Sequence, residues 1–576
     1  MKPQASRANW FLLGLTAAIY VGSAGLPALL DDADSFYAEV ARAMNQRHDW
    51  ITPYANTLRY LEKPPLFYWL IALSYKLSGA ANAFTARLPT ALTVVALAYV
   101  TSRIGQLLYG GRAGWLAGLA LATSIGMFLF TRIILPDALF TLLLALLVYA
   151  FVRWLLEGQH EKHLLLIYVF GALAVLAKGL IGIAFPAGVI VGTLVLSGRW
   201  KEVLRLLSVK GILLFLLIAV PWHAAIGARN PGFYWFYFVN EHLLRFLGKR
   251  YPLDYGTVPL VPFWLLHLVW LFPWSFYLVT LLRPANFKQA LARDGIKLLV
   301  PVVWALTILL FFSFSSRLEY YTVPAFPALA LLAGRQCAQY WEASVNWPGR
   351  VLAGLAALLG LTLLVLAVAS NAATGASFMQ LKDNPDLYAY YLGHLFDLTP
   401  DSLRALRWPL ALAGIAFSGL LPLHYWLKTA ARKAAALALG MGVFFIAANL
   451  GFLVFAPRLT SKPIADALRP RLTDDALIVI DGEYEEGCSV AFYTGRRVLL
   501  HNGRSSNLEY GSRYADAPPL FPDDAQLQRL WDAKQQRVFM VTFQAKQAKL
   551  EALLPNNRHL LARYGDKLLF SNRPDR

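Results

Sequence analysis

The chemistry-bearing residues of this chain crowd into Asp31–Leu70, directly after an apolar segment. Asp31, Asp32 and Asp34 come first, and Arg59-Tyr60-Leu61-Glu62-Lys63-Pro64-Pro65 follows. Charge of this density beside membrane helices belongs in water or in a reaction site, because a bare charge is costly in hydrocarbon. A carboxylate held in fixed geometry can orient an acceptor or take its proton. Lys63 offers a point charge for a phosphate, and the two prolines stiffen the backbone that carries it. Structural readings exist beside these. The three aspartates also suit the start of a helix near Ser35, and Lys63 can snorkel beside Glu62. A cap and a catalytic group are compatible, since both need a fixed side chain.

Other groups join from a distance. Arg132-Ile-Ile-Leu-Pro-Asp137 lies between two apolar stretches, so Asp137 needs a partner, for which Arg132 or Lys63 is suitable. Lys178, in Ala-Lys-Gly, has the same character. Asn240–Arg250 places Glu241 and Arg245 four residues apart, an ordinary helix pair, yet its cations also suit a lipid phosphate. Glu62 and His242 are the residues to consider for a metal, without a ligand-spacing signature behind them. Arg504–Asp516 reads as a charged loop, either covering a site or simply solvated.

These residues need a scaffold, and composition says which. Of 576 residues, 57% are hydrophobic and only 15% charged, where soluble domains carry about a quarter. Apolar runs long enough to cross a bilayer recur from Trp10 to Ala456, about thirteen in all. They fall near 9–30, 88–108, 113–131, 136–156, 163–178, 180–198, 207–227, 258–282, 296–314, 320–340, 350–370, 407–427 and 434–456. The first lacks a small-residue cleavage site and reads as a retained span. Pro65–Ser78 is apolar but short, and its double proline suits an interfacial helix. Left out of the count, it puts the Lys/Arg-rich short loops on the cytoplasmic side. Asp31–Pro64, the Arg132–Asp137 turn, Lys178, the 230–257 loop and Ser315–Tyr321 then share the outer face with everything after Ala456.

The tail changes character. Leu477–Ile480, Val498–His501, Val538–Thr542 and Lys567–Phe570 read as strands, with Ala525–Ala533 and Ala545–Leu554 as helices. The organisation expected is a transmembrane domain over 1–456, with an outer catalytic loop at 31–87, and a soluble α/β domain over 457–576. The net charge of +19 resides mainly in short loops, which serve topology and anionic lipid and argue against a nucleic-acid partner. Two cysteines, Cys337 and Cys488, match neither a zinc site nor a disulfide.

YLEKPPLFYWL, RLPTAL, the Arg132–Asp137 turn, NEHLLRFLGKR, SSRLEYYTVP and AFYTGRRVLL resemble the aminoarabinose transferase branch of the protein-mannosyltransferase-like membrane glycosyltransferases. The resemblance covers most of the chain. It implies a C-type glycosyltransferase fold, an all-α polytopic domain with a periplasmic C-terminal α/β domain, in a bacterial inner membrane. It implies transfer of aminoarabinose or a related sugar from undecaprenyl phosphate to lipid A or another periplasmic acceptor, with polymyxin resistance as the consequence. A protein acceptor is the alternative within the family, and a lipid or sugar transporter the alternative outside it.

Carried over, the family's first acidic motif falls at Ala33-Asp34, its Glu-Lys-Pro-Pro at Glu62–Pro65, its second aspartate at Asp137 and its Lys-Leu-Pro-x-Tyr at Arg317–Tyr321. Where the family has Asp-Glu-x-Arg-Tyr, this chain has Ala33-Asp34-Ser35-Phe36-Tyr37, so Asp34, or Asp32 after a small shift, becomes the expected catalytic acid. Tyr60, Glu62, Lys63, Asp137, Arg245, Arg317 and Tyr321 are the expected substrate-binding residues. No cofactor is expected to be required, with a divalent cation at Glu62 and His242 as the option.

Overall fold

The apolar runs expected to span are mostly helical, but many of the helices are interrupted, and the interruptions build the site. The computed structural model describes residues 3–252, 257–370, 404–504, 507–533 and 535–575. Among the described residues six helices are both long and apolar enough to cross a bilayer: Ala83–Tyr109, Asp137–Leu156, Val209–Arg229, Ile296–Ser313, Trp347–Ala369 and Ala430–Leu459.

The others break where the sequence contains a reason. Leu260–Trp270 and Ser275–Leu282 meet at 115° across Phe272-Pro273, since proline removes a helical donor and clashes with the preceding turn. Gly111–Ala122 stops before Ile125–Phe130 at Thr123-Ser124. There the hydroxyls bond back to the carbonyls of Leu119 (2.7 Å) and Leu121 (3.1 Å), competing with the helix ladder.

The first run also departs from a full span. Helix Pro3–Tyr20 ends ahead of Gly22, Gly25 and Pro27, and the chain continues in turns to Asp32. The freed carbonyls are collected by one side chain. Arg87, 2% exposed, donates to Ala24 O (3.2 Å), Pro27 O (2.6 Å) and Ala28 O (3.2 Å).

The Asp31–Pro64 loop is folded, not solvated. Helix Ala33–Arg47 leads to a two-residue antiparallel ribbon, β1 (Tyr54–Ala55) with β2 (Leu58–Arg59), and then to helix Leu66–Ser78. At 13 residues the last is too short to span the hydrocarbon. It packs on the first through Tyr37 against Tyr68 (5.7 Å) and Phe67 (6.2 Å), with Asn45 Nδ2 donating to Ala72 O (2.8 Å).

After Leu459 a small domain begins. Its strands are β3 (Leu477–Asp481), β4 (Leu499–His501), β5 (Val538–Phe543), β6 (His559–Tyr564) and β7 (Lys567–Ser571), in the order β4-β3-β5-β7-β6. β3 is parallel to β4 and β5, while β7 is antiparallel to β5 and β6. The His559–Tyr564 strand escapes a pattern reading because its residues are half-exposed at the sheet edge and include His559 and Arg563.

This domain is stapled to the Asp31–Pro64 loop. Asp31 accepts from Ser489 N (2.9 Å), Ser461 Oγ (2.7 Å) and the buried Lys567 Nζ (2.5 Å). The Asp31 and Asp32 amides donate to Leu459 O and Glu485 O, both at 2.7 Å. Farther along, the Asn56 side chain pairs with both backbone groups of Val498 at 2.9 Å.

Candidate active site

A cavity of about 2190 Å³ opens among the first outer loop, the helix ends near Asp137, Lys178 and Tyr321, the 238–250 segment and the soluble domain. Its walls have two characters. Phe311, Phe312, Leu410, Phe444 and Phe452 line an apolar part, while charged side chains gather at one pole.

The charged pole is built around the Glu62-Lys63 pair. Glu62, 5% exposed, accepts from Arg250 Nη2 (2.6 Å) and from the Tyr60 hydroxyl (3.2 Å). Arg250 Nε also reaches Glu241 (2.8 Å), and Glu241 pairs with Arg245 at 2.9 Å. A π-helical stretch, Trp235–Leu244, presents Glu241 and His242 here; such insertions in helices are frequent at functional sites. Arg250 continues to Asn507 Oδ1 (3.1 Å), so Asn507 stands at the cavity wall.

Lys63 differs from its neighbours. Its ammonium lies 3.8 Å from Glu62, whose other oxygen is held by Arg250. Burial first, then the Arg245 charge, pushes its pKa down to about 8. The charge is therefore under-compensated, and an incoming anion would relieve it.

Across the pole, Asp137 forms an ion pair with Lys178, not with Arg132 or Lys63, and the Lys178 ammonium stands 5.3 Å over the Tyr321 ring. Arg132 instead turns to Ser23 and Asn449. Gly179 is needed beside Lys178. Its φ is +81°, and a Cβ there would run into His242 Nε2.

Tyr60, Glu62, Lys63, Asp137, Arg245 and Tyr321 all line the cavity, whereas Asp34 and Arg317 do not. Asp34 is fully buried and pairs with Arg87; it also accepts from the amides of Leu30 and Ile134, both at 3.0 Å. That is a structural anchor with no oxygen turned to a ligand. Arg317 is spent on Val258 O (2.7 Å) and Ser313 O (3.1 Å), closing a turn behind the site. In the place expected of Asp34 stands Asp32, which lines the cavity at φ +65°. Although the residue is open to the cavity, desolvation by the protein packed around it pushes its carboxyl up to about 6.

The Glu62–His242 metal reading does not fit this geometry. His242 Nδ1 bonds to Tyr237 O (2.5 Å), and its Nε2 accepts from the Leu180 amide (3.1 Å). Neither nitrogen is left for a metal, and Glu62 is committed to Arg250 and Tyr60. Among the described residues no group of three or more His, Cys, Asp or Glu is placed to hold a metal ion.

Two further contributors lay beyond pattern reading. Phe36, in place of the family's arginine, is buried between Tyr60 (4.7 Å) and Tyr484 (5.5 Å). Glu485, from the soluble domain, lines the cavity next to Asp32.

A membrane helical domain with this cavity and a soluble domain closing over it is a C-type glycosyltransferase architecture. The structure of ArnT from Cupriavidus metallidurans bound to undecaprenyl phosphate superposes with a TM-score of 0.81, at 23% identity over 98% of this chain and 97% of that one. Residues 62–224 match the dolichyl-phosphate-mannose-protein mannosyltransferase family model. An undecaprenyl phosphate-alpha-4-amino-4-deoxy-L-arabinose arabinosyl transferase of Pseudomonas aeruginosa is 30% identical over 81% of this chain and 84% of its own length. One from Edwardsiella ictaluri is 27% identical over 88% of each. The match to the Aeromonas salmonicida protein of the same name, at 29% identity, takes in 58% of this chain and 60% of that protein's length. The chain belongs to this aminoarabinose transferase family.

Proposed function

We propose that this protein is an enzyme of the bacterial inner membrane that transfers 4-amino-4-deoxy-L-arabinose, or a closely related sugar, from undecaprenyl phosphate to lipid A or another acceptor on the periplasmic side. The observation that carries the reading is one cavity joining an apolar wall to a half-buried cationic pole at Lys63 and Arg245. An isoprenoid chain suits the first and a phosphate the second. The named relatives, called undecaprenyl phosphate sugar transferases, support the same donor.

In the step proposed, the acceptor oxygen attacks the anomeric carbon as the bond from that carbon to the donor phosphate oxygen breaks. The electron pair leaves with undecaprenyl phosphate, whose growing charge Lys63 and Arg245 stabilise. Single displacement inverts the anomeric centre. Asp32 orients the acceptor and takes its proton when the acceptor is a hydroxyl; a carboxyl raised to about 6 is suited to that near neutral pH. A phosphate acceptor is already ionised, so Asp32 then only positions it.

The test is purified protein in liposomes with a sugar-labelled donor and lipid A. Label appearing on lipid A in the wild type, and lost in Lys63→Ala and Asp32→Asn, is the expected result. Label that crosses the bilayer without a new glycosidic bond would instead mark a transporter, and label on protein alone would move the acceptor.

A further inference from the structure

Around the site, almost every carboxyl named above has a cation. Asp31 has Lys567, Asp34 has Arg87, Glu62 and Glu241 have Arg250, and Asp137 has Lys178. Two do not. Among the described residues Asp32, which is open to the cavity, and Glu485 have no ion-pair partner, and no other residue donates a hydrogen bond to either Glu485 oxygen although Glu485 is only 5% exposed. An unpaired buried carboxyl is costly unless a ligand answers it.

The two sit together by construction. The Asp32 amide donates to the Glu485 carbonyl (2.7 Å), and the Cys488 thiol donates to the Asp32 carbonyl (3.3 Å). The row Tyr60, Phe36, Tyr484 leads from Glu62 at the cationic pole to the residue preceding Glu485. The cavity thus offers cations at one place and unanswered carboxyls a short way along the same wall. Its complement is a zwitterion, with a phosphate at one end and an ammonium at the other.

We propose that Glu485, with Asp32 beside it, receives the protonated amine of the donor sugar and so makes the soluble domain a specificity determinant of the transferase. This rests on the donor being an amino sugar on undecaprenyl phosphate. Burial first, then Asp32, Glu483 and Glu62, push the Glu485 carboxyl up to about 8, so it holds a proton at neutral pH until a cation arrives. Of the groups facing the pair, Glu62 is answered by Arg250, and Asp31 and Asp34, which face Asp32, by Lys567 and Arg87. Docking of an ammonium therefore releases a proton from Glu485 to solvent.

The experiment compares undecaprenyl phosphate-aminoarabinose with the same lipid carrying neutral arabinose, on full-length wild type and Glu485→Gln. Calorimetric binding in two buffers of different ionisation enthalpy is read beside transfer. Expected in the wild type is a preference of about tenfold or more for the amino donor, with proton release on binding that donor only. In E485Q both the preference and the release disappear. A preference that persists in E485Q, or is absent in the wild type, overturns the proposal. Should both donors bind with the expected difference and neither sugar be transferred, the transferase reading fails while the subsite stands. Binding of undecaprenyl phosphate reports folding. If E485Q has lost it, Glu485→Ala takes its place, where a persisting preference again overturns the assignment.

Discussion

Replacing Asp34 by asparagine separates an anchor from a catalytic acid. Asp34 is fully buried, and its partner Arg87 is 2% exposed. Removing one member of such a pair leaves a buried charge unanswered, at a cost of about 3–5 kcal/mol. Arg87 keeps the carbonyls of Ala24, Pro27 and Ala28, so the lower end of that range applies. Because those contacts and the amides of Leu30 and Ile134 hold the unwound segment before Asp32, the loss acts on the whole first outer loop. Thermal unfolding in detergent should show D34N and Arg87→Met melting well below the wild type. The double variant Asp34→Leu/Arg87→Met should not recover the loss, since the carbonyls of Ala24, Pro27 and Ala28 and the amides of Leu30 and Ile134 are then left without partners. Asp32→Asn, by contrast, should melt with the wild type and lose transfer. A D34N protein that melts normally and transfers no sugar would refute the anchor reading and return Asp34 to the chemistry.

Lys63 carries a pH signature. With its pKa lowered to about 8, the free protein loses this cation above that pH, so affinity for undecaprenyl phosphate should fall about tenfold per pH unit beyond 8. Lys63→Arg should flatten the profile, and a wild-type profile flat to pH 10 would contradict the assignment. Lys567→Met leaves Asp31 without its cation at the domain junction. Hydrogen exchange of the 484–490 backbone should quicken markedly while strands β5 and β7 stay protected, and unchanged exchange at the junction would show that Asp31 needs no cation to dock the domain.

The resemblance and the charge-rich motif together name many of the residues that line the cavity. Tyr60, Glu62 and Lys63 share one rigid segment, and Asp137, Arg245 and Tyr321 are polar residues that apolar helices tolerate only where they turn inward. Other assignments needed the fold. Asp32 and Asp34 differ by two positions at the start of one helix, and only the placement of Arg87 and the Ile134 amide shows which is occupied and which faces the cavity. Arg317 looked like a ligand by position in a motif, yet its donors close a turn. His242 looked like a metal ligand until the Leu180 amide was found on its acceptor nitrogen.

Apolar run length, proline breaks and the loop charges were enough to establish a polytopic helical protein with a small α/β domain, because these act through local hydropathy and backbone sterics. Which charges pair was decided only in three dimensions. Asp137 with Lys178, Glu62 with Arg250 and Asp31 with Lys567 are each brought together by helix packing and domain docking. Electrostatic compensation depends on distance and burial, and neither is a function of spacing along the chain. The unanswered carboxyl of Glu485 is visible for the same reason only when every other charge has been placed.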